Sequence, residues 1–371
     1  MDFEFSDDQD QLRDAVRKWV EKAYSFERRR SIAADGGFSA EAWRELAGLG
    51  LTGLYVPEQA GGMGMGPVEA MVAMEELGRG IVLEPLAQAL IAGAILHAYA
   101  PKALAAHWAP LVASGDSIVS LAYQERAGRY RLDACAARAH RNGDTWSLTG
   151  NKSLVVAGDK ADAWIVSATV EGKLALFLVE RSAKGASTRG YGTVDGACAA
   201  EVALEQADAQ LISLDGLAAL GHAVDIGIAA LCAEAVGVMD RTLAITVDYM
   251  NTRKQFGVVI GSFQALKHRV ADMKMQLELA RSMSYYASLK LNAPAPERRA
   301  AMARAKYQLG QSMRFIGQQA VQLHGGIGVT DEYIVSHYFK RLTQMEMVFG
   351  DSLFQLGEVS SRMQDSAGVF A

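Results

Sequence analysis

Apolar residues recur at helical spacing from residue 6 to about 115. Leu12, Val16, Trp19 and Val20 mark one face behind Ser6, an N-cap candidate with Gln9 three positions on. A second helical stretch runs from Val68 to Arg79, and Leu90 to Ala98 is apolar enough to belong in a core. Between about 116 and 214 the period changes. Short runs (Ser117 to Ala122, Trp146 to Leu148, Ala163 to Ala168, Leu174 to Val179, Glu201 to Leu204) are punctuated by the turn dipeptides Asn142-Gly143 and Glu171-Gly172, which predicts a β domain. Long amphipathic helices then return, at about 217 to 250, 262 to 291, 297 to 323 and 331 to 365, with Pro294 and Pro296 separating the second from the third. The expected organisation is α+β: an N-terminal helical domain over 1–115, a middle β domain over 116–215 and a C-terminal four-helix bundle over 216–371.

A chain of 371 residues, half of them hydrophobic, can bury more than one core. Its net charge of -5, without a clustered basic surface, argues against a nucleic-acid partner. The acidic start Met1-Asp2-Phe3-Glu4-Phe5 has no basic n-region or apolar h-region, so a cytoplasmic location is expected. Ile226 to Met239, the longest apolar run, is short for a bilayer and carries Glu234; it reads as a buried helix with no membrane span, Glu234 facing Arg241 or another subunit. Cys135, Cys198 and Cys232 are widely spaced with no CxxC pair, which implies neither a disulfide framework nor a zinc site. His268 and His324 also lack metal-ligand spacing.

The chemistry concentrates in Arg253-Lys254-Gln255-Phe256-Gly257, Phe263-Gln264 and Gln322-Leu323-His324-Gly325-Gly326-Ile327-Gly328. Arg253 offers a planar positive fork suited to a diphosphate, and Gly325 and Gly326 allow a ligand close approach to the backbone. Tyr249 to Gly257 matches the YxxxRxQFG run of the acyl-CoA dehydrogenase family, which the chain resembles over nearly its whole length. Gly53-Leu54-Tyr55-Val56-Pro57-Glu58, Gly61-Gly62-Met63-Gly64, Glu75-Glu76-Leu77-Gly78, Asn142-Gly143-Asp144 and Leu148-Thr149-Gly150-Asn151-Lys152 follow in family order. The resemblance implies FAD held by Arg253, Gln255, Phe256, Gln264, Gln322, Gly325 and Gly326, with backbone N–H groups of Val155 and Val156 near the flavin ring. It also implies an acyl-CoA substrate desaturated at its α,β bond, electron-transfer flavoprotein or a similar electron acceptor, and a homo- or heterotetramer with each FAD between two subunits.

The family's usual base is a Glu in a Tyr-Glu-Gly-Thr segment, and here Val348-Phe349-Gly350-Asp351-Ser352 places Gly350 at that position. A second family position for the base falls at Gly227 and Ile228, which is also empty of carboxylates. Asp351 is the nearest candidate base, and its competing role is N-cap of a helix from Ser352. Two flavin-side segments depart as well: Thr-Glu-Pro-Gly-Ala-Gly-Ser becomes Tyr123-Gln124-Glu125-Arg126-Ala127-Gly128-Arg129, and Trp-Ile-Thr becomes Leu154-Val155-Val156. These departures resemble short chains that pair with a base-bearing homologue in bacterial heterotetramers. The expected function is FAD-dependent acyl-CoA dehydrogenation, alone or as such a subunit. Its rivals are a non-catalytic acyl-CoA-binding subunit and a nitroalkane-oxidase-like flavoenzyme with an Asp base.

Overall fold

A computed structural model of the chain describes residues 5–143 and 145–366; the readings made above on Met1 to Glu4 and on Asp144 lie outside them. Helices come first: α1 (Asp7–Ala23), α2 (Phe26–Ala34), α3 (Ala40–Gly48), α4 (Pro67–Arg79), α5 (Leu86–Tyr99) and α6 (Lys102–Ala113). Strands follow: β1 (Val119–Ala122), β2 (Arg138–Asn142), β3 (Thr145–Val156), β4 (Ala163–Val170), β5 (Lys173–Glu180), β6 (Ala186–Gly192) and β7 (Cys198–Ser213). Then come α7 (Gly216–Thr252), the short strands β8 (Lys254–Gln255) and β9 (Val258–Val259), and helices α8 (Gln264–Lys290), α9 (Ala295–His324), α10 (Ile334–Met347) and α11 (Ser352–Ser366). The fold is a helical N-terminal part, a β-rich middle and a helical C-terminal part. Ser6 forms the full capping box with Gln9 that the sequence predicts.

The strands run in the order β1-β4-β2-β3-β7-β5, and an additional β4–β5 pairing closes the sheet on itself, with β6 paired to β7. Closure removes an exposed edge. The β4–β5 hairpin turns at Glu171 and Gly172, both at positive φ (49° and 81°), between the paired residues Val170 and Lys173. That is the type I′ pattern, whose twist suits an antiparallel pair. Two strands escape the hydrophobic pattern: β2 and β6 are mostly exposed and polar, so neither shows an apolar run.

Contacts divide the chain into two compact units: one takes the residues up to Arg28, Met71–Val82 and the residues from Ile228 on, and the other takes Arg29–Ala70 and Leu83–Gly227. Within the first, α4 and α7 cross at a pair of glycines. A Cβ on Gly237 would lie 1.8 Å from the Glu75 carbonyl oxygen, and one on Gly78 would lie 2.1 Å from that of Glu234, so only glycine permits this approach. Glu76, 1% exposed beside the crossing, accepts Arg17 Nη2 at 2.8 Å and Nε at 3.2 Å. The second unit holds the barrel, whose core includes Trp164, Ile165, Leu176 and Phe177.

Helix α7 spans 37 residues and is long and apolar enough to cross a bilayer, but 78% of its most apolar window is buried inside the protein, in keeping with the buried helix expected there. Two sequence expectations need correction. Glu234 pairs with Arg341, whose Nε lies 2.7 Å away, and not with Arg241. The last of the four expected C-terminal helices is two, α10 and α11, because Phe349 and Gly350 take φ values of 59° and 104° that an α-helix cannot contain.

Candidate cofactor and acyl-CoA site

In the first unit, the ends of α7 and α9 bring the two glycine-containing motifs together. Tyr249, one turn before Arg253, stacks on His324 at a centroid distance of 4.4 Å, and Tyr333 flanks the imidazole at 5.3 Å. His324 is buried, its Nδ1 lies 2.8 Å from the Ala320 carbonyl oxygen, and burial lowers its pKa. Its buried Nε2 has no hydrogen-bond partner among the described residues. Immediately after it, Gly325 turns at φ 65°, and a Cβ on Gly325 or Gly326 would meet nothing within 4 Å, so the backbone here is open to a ligand.

Arg253 emerges at the end of α7 with an exposed guanidinium that bonds no side chain among the described residues. The residues after it form a small hairpin: Gln255 pairs with Val258 across Phe256 and Gly257, at φ 53° and 81°. Phe256 is 91% exposed and meets Phe263 edge-on at 6.2 Å. Gln264, the first residue of α8, and Gln322, in the last turn of α9, are exposed. An unpartnered cation, two open glycine backbones, an exposed aromatic and an orphaned buried imidazole nitrogen fit an anionic ligand with flat rings.

The corner between α10 and α11 is locked from inside. Lys306, 1% exposed, donates to the Met345 and Glu346 carbonyls at 3.1 and 2.8 Å, which caps α10, and burial pulls its pKa down to about 8. Glu346 Oε1 accepts from the Ser352 N–H at 2.9 Å and its hydroxyl at 2.8 Å. Asp351 Oδ1 accepts the Phe354 N–H at 2.8 Å and so caps α11. Gly350, between these residues in sequence, is buried, and its own N–H bonds none of the described residues. The sequence reading missed Lys306 and Glu346; their only signal was a charged residue on the apolar face of an otherwise regular helix.

In the second unit, Val155 and Val156 lie on β3 opposite Ala200 and Ala199. The Ala157 N–H donates to Cys198 at 3.0 Å, so by alternation the Val155 N–H is engaged in the ladder while that of Val156 points away from β7. Of the two N–H groups expected at a flavin ring, only the second is available. Leu154 sits in a bulge at φ 55° and is half exposed.

Comparison with known proteins identifies the family. The profile of the acyl-CoA dehydrogenase N-terminal domain matches residues 6–116, and that of the acyl-CoA dehydrogenase C-terminal domain matches residues 215–364. Acyl-CoA dehydrogenase FadE12 of Mycobacterium tuberculosis is 31% identical over 357 residues, covering 89% of each chain. Among solved structures, a variant of the Tcur3481-Tcur3483 steroid ACAD is 29% identical with a TM-score of 0.90, covering 97% of this chain and 98% of that one. The ChsE4-ChsE5 complex from Mycobacterium tuberculosis is 26% identical with a TM-score of 0.89, covering 98% and 99%. The chain belongs to the acyl-CoA dehydrogenase family, and so to the FAD-dependent oxidoreductases that act on CH–CH bonds.

Proposed function

We propose that this chain is the base-lacking member of a pair of homologous acyl-CoA dehydrogenase chains, and that it acts on an acyl-CoA only with a partner that carries the Glu. The observation that carries this reading is the conformation of Gly350. Its φ of 104° is one that side-chain-bearing residues rarely adopt, and a Cβ there would stand 2.5 Å from Phe354 Cδ1 and 2.7 Å from Gln355 Nε2. A Glu does not fit this corner as it stands. Asp351 is engaged as a helix cap and Glu346 in holding Ser352, so neither is free to take an α-proton. A partner chain accords with the likeness to the ChsE4-ChsE5 complex, an assembly of two differently named chains. Exposed apolar residues support a covered surface: Met275 and Leu279 on α8, and Leu353, 81% exposed, on α11.

The corner keeps half of the usual machinery. In the resembled family the N–H of the base residue also polarises the thioester carbonyl, and the unpartnered, buried Gly350 N–H suits that role, since a buried backbone donor needs an acceptor. FAD, when bound, supplies the acceptor for the β-hydride. Arg253, with Gln255, Phe256, Gln264, Gln322, Gly325 and Gly326, would hold its phosphates and adenosine side, and the Val156 N–H would face the ring. Electron-transfer flavoprotein is the expected acceptor of the electrons. The three segments 1–115, 116–215 and 216–371 are the domains that divide this work.

The test is the flavin absorbance of the purified chain, alone and mixed with a homologue bearing Tyr-Glu-Gly-Thr, before and after anaerobic addition of acyl-CoAs. Bleaching is expected only in the mixture. Rapid bleaching of the chain alone would overturn the reading.

A further inference from the structure

Four polar side chains of the second unit converge on one point: Lys152 on β3, Ser167 on β4, Glu125 in the segment after β1 and Cys135 just ahead of β2. Lys152 is fully buried, and its ammonium donates to Glu125 Oε1 at 2.6 Å, the Ser167 hydroxyl at 3.1 Å and Cys135 Sγ at 3.5 Å. Three partners fill its three donors and hold the nitrogen against the sulfur. Cys135 Sγ lies 3.4 Å from the same Glu125 oxygen and 3.5 Å from the Ser167 carbonyl oxygen. Glu125 also accepts the Ala136 N–H at 2.7 Å and the Ala137 N–H at 3.1 Å, so this one carboxylate closes the loop over 126–135 at its base.

An ion pair explains a buried lysine beside a glutamate, because each charge would be costly alone. It gives no reason for a thiol as the ammonium's third partner. Cys198 and Cys232 are buried, and burial pushes their thiols up to about 11 and about 12, whereas Cys135 is half-buried. Burial raises the Cys135 pKa too, and the Lys152 charge opposes the rise. Its sulfur is therefore open to a small neutral oxidant, through a minor thiolate fraction and so slowly.

We propose that Cys135 and Lys152 form a modification site at which hydrogen peroxide joins the two side chains through a sulfenamide (S–N) bond. In the first step the Cys135 thiol attacks peroxide: the O–O bond breaks, sulfur loses two electrons, and the products are the Cys135 sulfenic acid and water. In the second, Lys152 passes one proton to Glu125, and its free amine forms the S–N bond as the S–O bond breaks. The departing hydroxide takes a second proton from the nitrogen and leaves as water, with no further oxidant consumed. Sulfenic acids condense with a backbone nitrogen in the same manner. The product keeps no ammonium for Glu125 to face, so the loop over 126–135 loosens at its base. The site goes beyond the dehydrogenase reading and does not depend on which chain carries the base.

The experiment treats the purified chain with graded hydrogen peroxide, blocks free thiols by alkylation and reads the digested peptides by mass spectrometry. The expected product is the Cys135 peptide joined to the Lys152 peptide, two hydrogens lighter than their sum and separated again by dithiothreitol. Met63, exposed in the same unit, marks the dose through its sulfoxide. Cys135→Ser should lose the link. In Lys152→Arg, which keeps a positive charge beside Glu125, Cys135 should instead be trapped as its sulfenic acid by dimedone. Because a buried substitution can fail to fold, the wild-type chain gives the decisive reading. Cys135 still alkylatable once Met63 is oxidised, or oxidised beside an unmodified Lys152 peptide, overturns the site. In the linked protein, hydrogen exchange of the Ala137 amide should speed about tenfold, the loss of one charge-assisted bond, and an unchanged rate overturns the loosening.

Discussion

Restoring the family's carboxylate by Gly350→Glu is expected to destabilise the chain without producing an active site. Two costs can be separated. Leaving a non-glycine residue at φ 104° costs about 1–3 kcal/mol, and forcing a Cβ to within 2.5 Å of Phe354 and 2.7 Å of Gln355 adds overpacking of about 1–3 kcal/mol. The sum is about 2–6 kcal/mol, less whatever Phe354 relieves by moving. Gly350→Ala carries both costs without the carboxylate, so urea unfolding of the two variants should show similar losses. Adding Phe354→Ala removes the nearer clash but leaves the backbone strain, and it should recover part of the loss in a Gly350→Glu background. Flavin reduction by acyl-CoA is followed in the same samples. A Gly350→Glu protein with wild-type stability and new turnover would refute the argument, because the corner would then accept a base.

Arg253→Ala should weaken FAD binding about ten- to a hundredfold, whereas Arg241→Ala, exposed on α7 outside the motif, should not; equal retention by the two purified variants would remove Arg253 from the site. Asp351→Asn should keep the α11 cap and leave stability nearly unchanged, while Asp351→Ala should cost about 1 kcal/mol; equal losses in both, read by denaturant midpoint, would contradict the capping role. Burial pushes the Glu125 carboxyl up, yet the Lys152 bond and charge with the Ala136 and Ala137 N–H groups outweigh it, so its pKa lies below the ordinary 4.5. A depressed carboxyl stabilises the fold fully above its unfolded pKa and loses that stability as pH falls through the folded value. Glu125→Gln should therefore flatten the acid limb of the stability curve, and an unchanged limb would deny the pair that role.

Much of this was legible in the sequence, for local reasons. The Ser6 capping box, the Glu171-Gly172 hairpin and the apolar core face of α5 each depend on residues a few positions apart. What was hidden depends on distance or on an absence of apolar signal. Strands β2 and β6 are held by their neighbours and not by their own hydrophobicity. Glu234 finds Arg341 across 107 positions, whereas sequence reasoning offered a charge seven residues away on the same helix. The break between α10 and α11 was half legible: Asp351 reads as the N-cap of a helix from Ser352, but Val348 and Phe349 continue the apolar pattern through residues that no longer have helical backbone. At the site, the motif residues could be named, but the pairing of β3 with β7 that engages the Val155 N–H could not. Nor could Asp351 be assigned between base and cap until the Phe354 N–H was placed against it.

The central claim is that this chain has no base for the α-proton, and isotope exchange reads that step apart from hydride transfer. FAD-loaded chain incubated with an acyl-CoA in deuterium oxide is followed by mass spectrometry of the thioester. General-base catalysis contributes about 10² to 10⁴-fold, so the chain alone should exchange the α-proton no faster than buffer while still binding the ligand. Addition of a Glu-bearing homologous chain should bring exchange on. Exchange by the chain alone, at a rate that survives Asp351→Asn, would contradict the account.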